Sequence, residues 1–207
     1  MDTKVRSAEV RRHPFSVEEY HLMEKAGLFV DRPRVELLDG EVLEMASMGT
    51  RHGVCLIRID SLLHLAVGSD AVITIQIPLR LDDLSEPEPD AAVLRAPTER
   101  YDSASPTAAD ALLVIEVSDT TLAFDRDVKA VRYGSAGIGE CWVIDLEGAE
   151  VLVHRGPCPT GYSDLHRARR GETLAIPGLT EAGVGAGAEA GAEADAEIAV
   201  SDLLGPA

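Results

Sequence analysis

Glu116 stands inside Ala111-Leu112-Leu113-Val114-Ile115-Glu116-Val117, the most apolar stretch of the chain. A buried carboxylate must find a cation or take up a proton, because desolvating the bare charge is costly. A bound metal ion is one such partner. An arginine is another, and a strand end that lets the side chain reach water would also serve. Asp90 follows Pro89 and opens a short apolar run. Asp after Pro is common in turns, yet on adjacent strands Asp90 and Glu116 would bring two carboxylates together. Two hard oxygen donors on a rigid sheet suit Mg²⁺, which keeps several waters and takes few protein ligands. Such an ion activates water and offsets charge on a phosphoryl group. Lys129 is one of three lysines, with Lys4 and Lys25. On a helix after the apolar strand it shares a face with Asp125, Arg132 and Tyr133. A lysine beside such carboxylates positions an attacking water or neutralises a developing phosphorane. The plainer alternative is a surface ion pair with Asp125 at i and i+4.

These residues need a scaffold. Ser16-Val17-Glu18-Glu19 fits a capping box, so a short helix follows Ser16 and stops near Gly27. Asp39-Gly40 between Arg34–Leu38 and Glu41–Met45 signals a β-hairpin. Cys55, Ile59, Leu62, Leu63 and Ala66 recur at helical spacing, which predicts a helix from Arg51 to Val67, closed by Gly68. Ile73, Ile75, Ile77, Leu79 and Leu81 alternate with Thr74, Gln76 and Arg80, the pattern of a half-buried strand. A short strand is expected over Asp90–Leu94 and a central strand, covered on both faces, over Ala111–Val117. A helix over Asp125–Ala136 leads to strands over Cys141–Asp145 and Val151–His154. Three strands on short links pair antiparallel, and the helix then crosses over to a parallel strand. The expected class is α/β with a mixed sheet, in the order helix-strand-strand-strand-helix-strand, preceded by a helix and a β-hairpin.

Length and charge bound the rest. A chain of 207 residues with 45 % hydrophobic and 27 % charged residues is one globular domain. Residues 1–13 read as a flexible arm and 14–180 as the domain. Residues 181–197 are Ala/Gly/Glu-rich low complexity, a flexible insert, and 198–207 return as a strand or turn that docks on the domain. No apolar run is long enough for a membrane span, and the first residues lack the apolar core of a secretory signal. Cys55, Cys141 and Cys158 form neither a disulfide framework nor a metal pair, so the expected compartment is the cytoplasm. Lys and Arg number 19 against 36 Asp and Glu, a net charge of −17. Residues 181–207 hold six of those acids and no base, and the remainder is still at −11. Bulk electrostatics therefore oppose nucleic-acid binding, and any such contact must be local or metal-bridged.

Taken in order, Pro89-Asp90, Glu116-Val117-Ser118, Asp125 with Lys129 and Tyr133, and Ala136-Gly137-Ile138-Gly139-Glu140-Cys141-Trp142-Val143-Ile144-Asp145 make a recognisable series. With Arg34–Glu41 and the capping-box helix upstream, the chain resembles the Uma-two family of restriction-endonuclease-like proteins in the PD-(D/E)XK nuclease superfamily. The resemblance spans residues 14–180 and a last strand near Ile198–Leu204. It implies the restriction-endonuclease-like fold and a Mg²⁺-dependent endonuclease, with Mn²⁺ as substitute metal. It implies that Asp90 and Glu116 bind the metal, with the Val117 carbonyl as an extra ligand. The superfamily's strand lysine would fall at position 118, which is Ser118; the resemblance therefore moves that role to Lys129. Glu36 matches an upstream acidic position and would approach the metal or orient a water. His52, Ser118, Asp125, Gln76 and Tyr133 are candidates for a supporting ring, although a histidine placed like His52 is more often a cap or surface residue.

Two further readings compete with a DNA-cleaving enzyme. One is a catalytically silent protein on the same fold, acting through oligomerisation or partner binding. The other is an acidic regulatory module whose 181–197 segment binds a basic partner. A basic strip of Arg51, Arg58, Arg95, Arg126 and Arg132 converging on the site would favour the nuclease. Cutting both strands of a duplex also calls for two sites, and hence for a homodimer or higher homo-oligomer.

Overall fold

The computed structural model describes residues 12–32, 34–179 and 196–206. Most of the proposed arm (1–11) and insert (181–195) lies outside the described residues. Helix α1 (Val17–Lys25) begins at Ser16, whose hydroxyl accepts from the Glu19 N–H while the Glu19 carboxylate accepts from the Ser16 N–H. This is the reciprocal cap the sequence predicts. Strands β1 (Val35–Leu38) and β2 (Glu41–Glu44) form an antiparallel hairpin closed by Asp39 and Gly40. Both turn residues have positive φ, 53° and 75°. That twist matches the twist of paired strands. Val17, Tyr20, Val35 and Leu37 lock α1 onto the hairpin in a small cluster of their own.

The rest is built on one six-stranded sheet, ordered β3 (Ala71–Ile75), β4 (Ala91–Arg95), β5 (Ala111–Ser118), β6 (Glu140–Asp145), β7 (Glu150–Cys158), β8 (Gly161–Ala168). All neighbours are antiparallel except β5 and β6, which run parallel. The crossover between those two is α3 (Leu122–Phe124), a π-helical turn (Asp125–Lys129) and α4 (Ala130–Ser135), without a break. Every residue of β5 is buried. Its Leu113, Ile115 and Val117 pack under α2 (Thr50–Val67), while Val114 faces the crossover with Ala130 and Tyr133. The two-residue period of a strand therefore sends Glu116 toward the crossover.

Several expectations need correction. The strand expected over Ile73–Leu81 ends at Ile75. Gln76 adopts a left-handed backbone (φ 52°), and Pro78 has no N–H to offer a neighbouring strand. Leu79 is nevertheless buried, because Arg80 pairs with the loop at Pro106 and Thr107. The crossover helix starts at Leu122, three residues earlier than expected, and holds the π turn. Strand β8 and the short β9 (Thr173–Ala175) were not foreseen. The C-terminal segment is a three-residue strand, β10 (Glu197–Ala199), antiparallel to β9, followed by a helix, α5 (Val200–Leu204), instead of one strand. Glu197, expected in the insert, thus lies in a separate two-stranded sheet, paired with Ala175 of β9. The segment does dock: Ile198, Val200, Leu203 and Leu204 join the core beneath α2. Among the described residues no helix is long and apolar enough to cross a membrane.

Candidate functional site

Asp90 sits just before β4, at the point where the β4–β5 ladder has run out. The Val117 N–H, left without a strand partner on that side, donates instead to Asp90 Oδ2 at 2.8 Å. Asp90 Oδ1 accepts from Gln76 Nε2 at 3.2 Å, so the left-handed kink that ends β3 aims a supporting amide. His52, in the first turn of α2, brings Nε2 to 2.9 Å from Asp90 Oδ2. At that distance a protonated His52 and the ionised Asp90 attract one another. Burial works to raise the Asp90 pKa, but His52, the Val117 N–H and Lys129 outweigh it and hold the carboxyl below its ordinary value. The same contact with Asp90 raises the His52 pKa. His52 therefore lines the cavity beside Asp90 and is neither a cap nor a surface histidine.

Glu116 is 3 % exposed. Its Oε1 accepts from the Tyr133 hydroxyl at 2.6 Å and lies 2.9 Å from Lys129 Nζ. Burial pushes its pKa up to about 8, against the opposing pull of Lys129 and with the added push of Asp90 and Asp125. Lys129 closes the π turn and is 2 % exposed. Burial alone would lower its pKa, but Glu116 and Glu36 reverse that and leave it raised, so it stays a cation. The surface ion pair with Asp125 is not what forms: Asp125 Oδ2 accepts from Ser118 Oγ at 2.7 Å and from Thr121 Oγ1. The π turn matters here because one extra residue per turn shifts Lys129 relative to a plain helix.

A cavity of about 150 Å³ opens onto this group, lined by His52, Asp90, Glu116, Val117, Asp125 and Lys129 among others. Asp90, Glu116, Val117 and Lys129 thus meet in one place. Glu36 does not line the cavity. It lies behind Lys129, 1 % exposed, with Oε2 3.2 Å from Lys129 Nζ and accepting from the Glu88 N–H at 3.1 Å. Its Oε1 has no partner among the described residues. The hairpin fixes this placement, since β1 is tied to the loop before β4 by the Glu86 N–H donating to Leu37 O. Gln76, Ser118 and Tyr133 bond to the acids from outside the cavity lining. Sequence reasoning missed Glu88 and Arg34, which line the cavity as a pair at 2.7 Å, and the Asp119–Thr121 loop. The one available signal was Glu86-Pro87-Glu88-Pro89, a stiff acidic approach to Asp90.

The arginine strip does not converge on the cavity. Arg51 pairs with Asp119, Arg126 with Asp127 and Arg132 with Asp39, while Arg95 donates to the Ala109 carbonyl. Arg58 donates to the Leu204 carbonyl. Arg34 is the arginine that lines the cavity. Among the described residues no three His, Cys, Asp and Glu side chains close into an all-protein metal cage. Hard oxygen donors, one imidazole and the cations of Arg34 and Lys129 line the cavity; Glu116 stands on the central strand and Asp90 at the mouth of β4. The oxygen donors fit Mg²⁺, which needs few protein ligands, better than they fit a soft-ligand metal.

A mixed sheet with this parallel crossover, and carboxylates gathered at the ends of β4 and β5, is the restriction-endonuclease-like arrangement. The chain belongs to the Uma2 family, described as "Putative restriction endonuclease", whose sequence model matches residues 17–186. A crystal structure from Anabaena variabilis, titled a "putative nuclease belonging to DUF820", is similar in fold at a TM-score of 0.62 and 15 % identity. The match covers 92 % of this chain and 98 % of that one. No curated protein matches the chain.

Proposed function

We propose that this protein is a Mg²⁺-dependent endonuclease that hydrolyses phosphodiester bonds in DNA. The observation that carries the reading is the convergence of Asp90, Glu116 and Lys129 in one cavity, from two adjacent strand ends and a π turn. Asp90 and Glu116 would hold the ion, with the Val117 carbonyl as a third oxygen. When bound, Mg²⁺ supplies Lewis acidity that lowers the pKa of a ligated water and offsets phosphoryl charge. The chain's own residues prepare the site for this. His52, the Val117 N–H and Lys129 hold Asp90 in its ionised form, and the Gln76 amide orients it. Tyr133 orients Glu116 from behind. Lys129 places a permanent cation beside the reacting phosphate, where charge develops in the transition state. Glu36 acts at one remove, by holding Lys129. Cleavage of both strands would be carried out by a homodimer.

Supercoiled plasmid incubated at low salt in Mg²⁺, Mn²⁺ or EDTA tests this, with Asp90→Asn and Lys129→Ala alongside. The expected result is metal-dependent nicking by the wild type and loss of at least a hundredfold in both variants. Equal cleavage by all three proteins would overturn the assignment. A second reading, a silent member of the fold, draws support from the Lys129 ammonium. It is already clamped between Glu36 and Glu116, and no arginine strip surrounds it. Binding of Mn²⁺ without nicking of any DNA topology would favour that reading.

A further inference from the structure

Beside the site, α2 carries a second opening of about 430 Å³, lined by Arg51, Val54, Arg58, Leu146, Arg170 and Pro206 among others. No acidic side chain lines it, in a chain whose acids outnumber its bases 36 to 19. Arg51, Val54 and Arg58 are spaced i, i+3 and i+7, which puts them on one face of α2. Arg170 approaches from the turn after β8. We infer that this groove binds the phosphate backbone of DNA flanking the cavity; the inference rests on the nuclease reading and deepens it by saying where the polyanion lies.

Continuity with the site is the first argument. Arg51 Nη1 donates to Asp119 Oδ1 at 3.0 Å, and Asp119 lines the carboxylate cavity. Arg51 Nη2 donates to the Leu146 carbonyl at 2.7 Å, and Leu146 lines the groove. The two openings therefore share a wall. Spacing is the second. Seven residues of helix separate Arg51 from Arg58 by about 10 Å, at about 1.5 Å per residue. Along one DNA strand that is about three nucleotides, at about 3.4 Å of axial rise each. Donor supply is the third. Arg58 and Arg170 also hold the chain's C-terminal carbonyls: Arg58 Nη1 reaches Leu204 O at 3.5 Å, and Arg170 reaches Gly205 O at 2.6 Å and Pro206 O at 3.5 Å. A guanidinium carries five N–H donors, so these contacts leave most of each fork for a ligand. The fork also matches a phosphate bidentately.

The test measures binding of a short labelled DNA duplex, and of its single strand, by fluorescence anisotropy in EDTA across a salt series. The proteins are the full chain, the double variant Arg58→Gln/Arg170→Gln and the charge-preserving Arg58→Lys/Arg170→Lys, each checked for an unchanged melting transition. The Gln variant is expected to weaken duplex binding at least tenfold at low salt. It should also flatten the plot of log affinity against log salt by about 2, one unit per lost phosphate contact. The Lys variant should restore the slope. An unchanged slope and affinity in the Gln variant would overturn the groove and leave cleavage by Asp90 and Glu116 untouched. So would a Lys variant as weak as the Gln variant, because packing and not charge would then be at work. If the wild type binds neither probe at low salt, the groove falls as well. If it binds through the groove and Mg²⁺ or Mn²⁺ brings no cleavage, the groove stands and the nuclease reading falls.

Discussion

At the scale of single residues, the core of the site is one cation, Lys129, and the two acids that hold it. Lys129 is buried between Glu36 and Glu116. Removing one partner of a buried ion pair costs far more than the pair contributes, because the remaining charge is stranded. Lys129→Met should therefore lower unfolding stability by about 3–5 kcal/mol. Glu116→Gln should cost less, because Lys129 keeps Glu36 and the amide oxygen still accepts from Tyr133. Urea denaturation of both variants checks the order, and equal costs would show that Glu36 alone does not hold the lysine. The proton on Glu116 gives a second expectation. Its pKa is pushed from 4.5 up to about 8, so the folded chain holds a proton that the unfolded chain releases between those values. Stability owed to that proton falls as pH rises through this window. Metal binding needs the ionised carboxylate and runs the opposite way. Mn²⁺ affinity should rise from pH 6 to about 8 and then level off, with protons released on binding. Calorimetry in buffers of different ionisation enthalpy measures both, and a pH-independent affinity would remove Glu116 from the ligand set.

At the scale of elements, the site depends on how the crossover packs on the sheet. Gly134 of α4 lies against the start of β8. A Cβ there would meet the Gly161 carbonyl oxygen at 2.3 Å and Tyr162 Cδ2 at 2.8 Å. Backbone cannot step aside as a flexible side chain can, so Gly134→Ala should destabilise by about 1–3 kcal/mol. Gly139→Ala, with no neighbour within 4 Å, is the matched control and should leave the urea midpoint nearly unchanged. Neither contact could be read from sequence, because β8 (Gly161–Ala168) alternates poorly: five of its central residues are exposed. Elements with a clean local signal were legible. Ser16 with Glu19, Asp39-Gly40, and the apolar run of β5 each act through neighbours in sequence. Glu116, a carboxylate inside an apolar run, stood out in the same way, whereas Asp90 and Lys129 gained meaning only beside it. What stayed hidden needed tertiary contacts. The kink at Gln76 goes with its bonds to Asp90, and the π turn carries Lys129 to Glu116 and Glu36. Glu36 was legible as an acid but not as a partner of Lys129, because the hairpin's docking on the 86–88 loop decides that. His52 looked like a cap because nothing in its own helix shows the Asp90 carboxylate opposite.

At the scale of the whole molecule, the C-terminal strand β10 and helix α5 close on α2. The described C-terminal segment (196–206) is joined to the rest by low-complexity sequence, yet Ile198, Val200, Leu203 and Leu204 are buried in the main core. Cys55 Sγ donates to the Leu203 carbonyl at 3.5 Å, and Leu204 and Pro206 form a wall of the basic groove. At roughly 1.5–3 kcal/mol for each buried aliphatic side chain, the four contribute on the order of 6–12 kcal/mol. A whole domain is stable by only about 5–15 kcal/mol, so the segment is comparable with the entire margin. A chain ended at residue 195 should lose its cooperative unfolding transition. Thiol chemistry reports the same loss residue by residue. In the intact protein Cys55 and Cys141 are buried and Cys158 is partly exposed, so a maleimide should label one site under native conditions. In the truncated chain Cys55 loses its cover and should react as well. A truncated protein with an unchanged midpoint and a single labelled thiol would show that the sheet and α2 stand without their C-terminal cover. The same truncation strips the groove of one wall while leaving Asp90, Glu116 and Lys129 in the chain. DNA binding should therefore fail in it no later than the fold does.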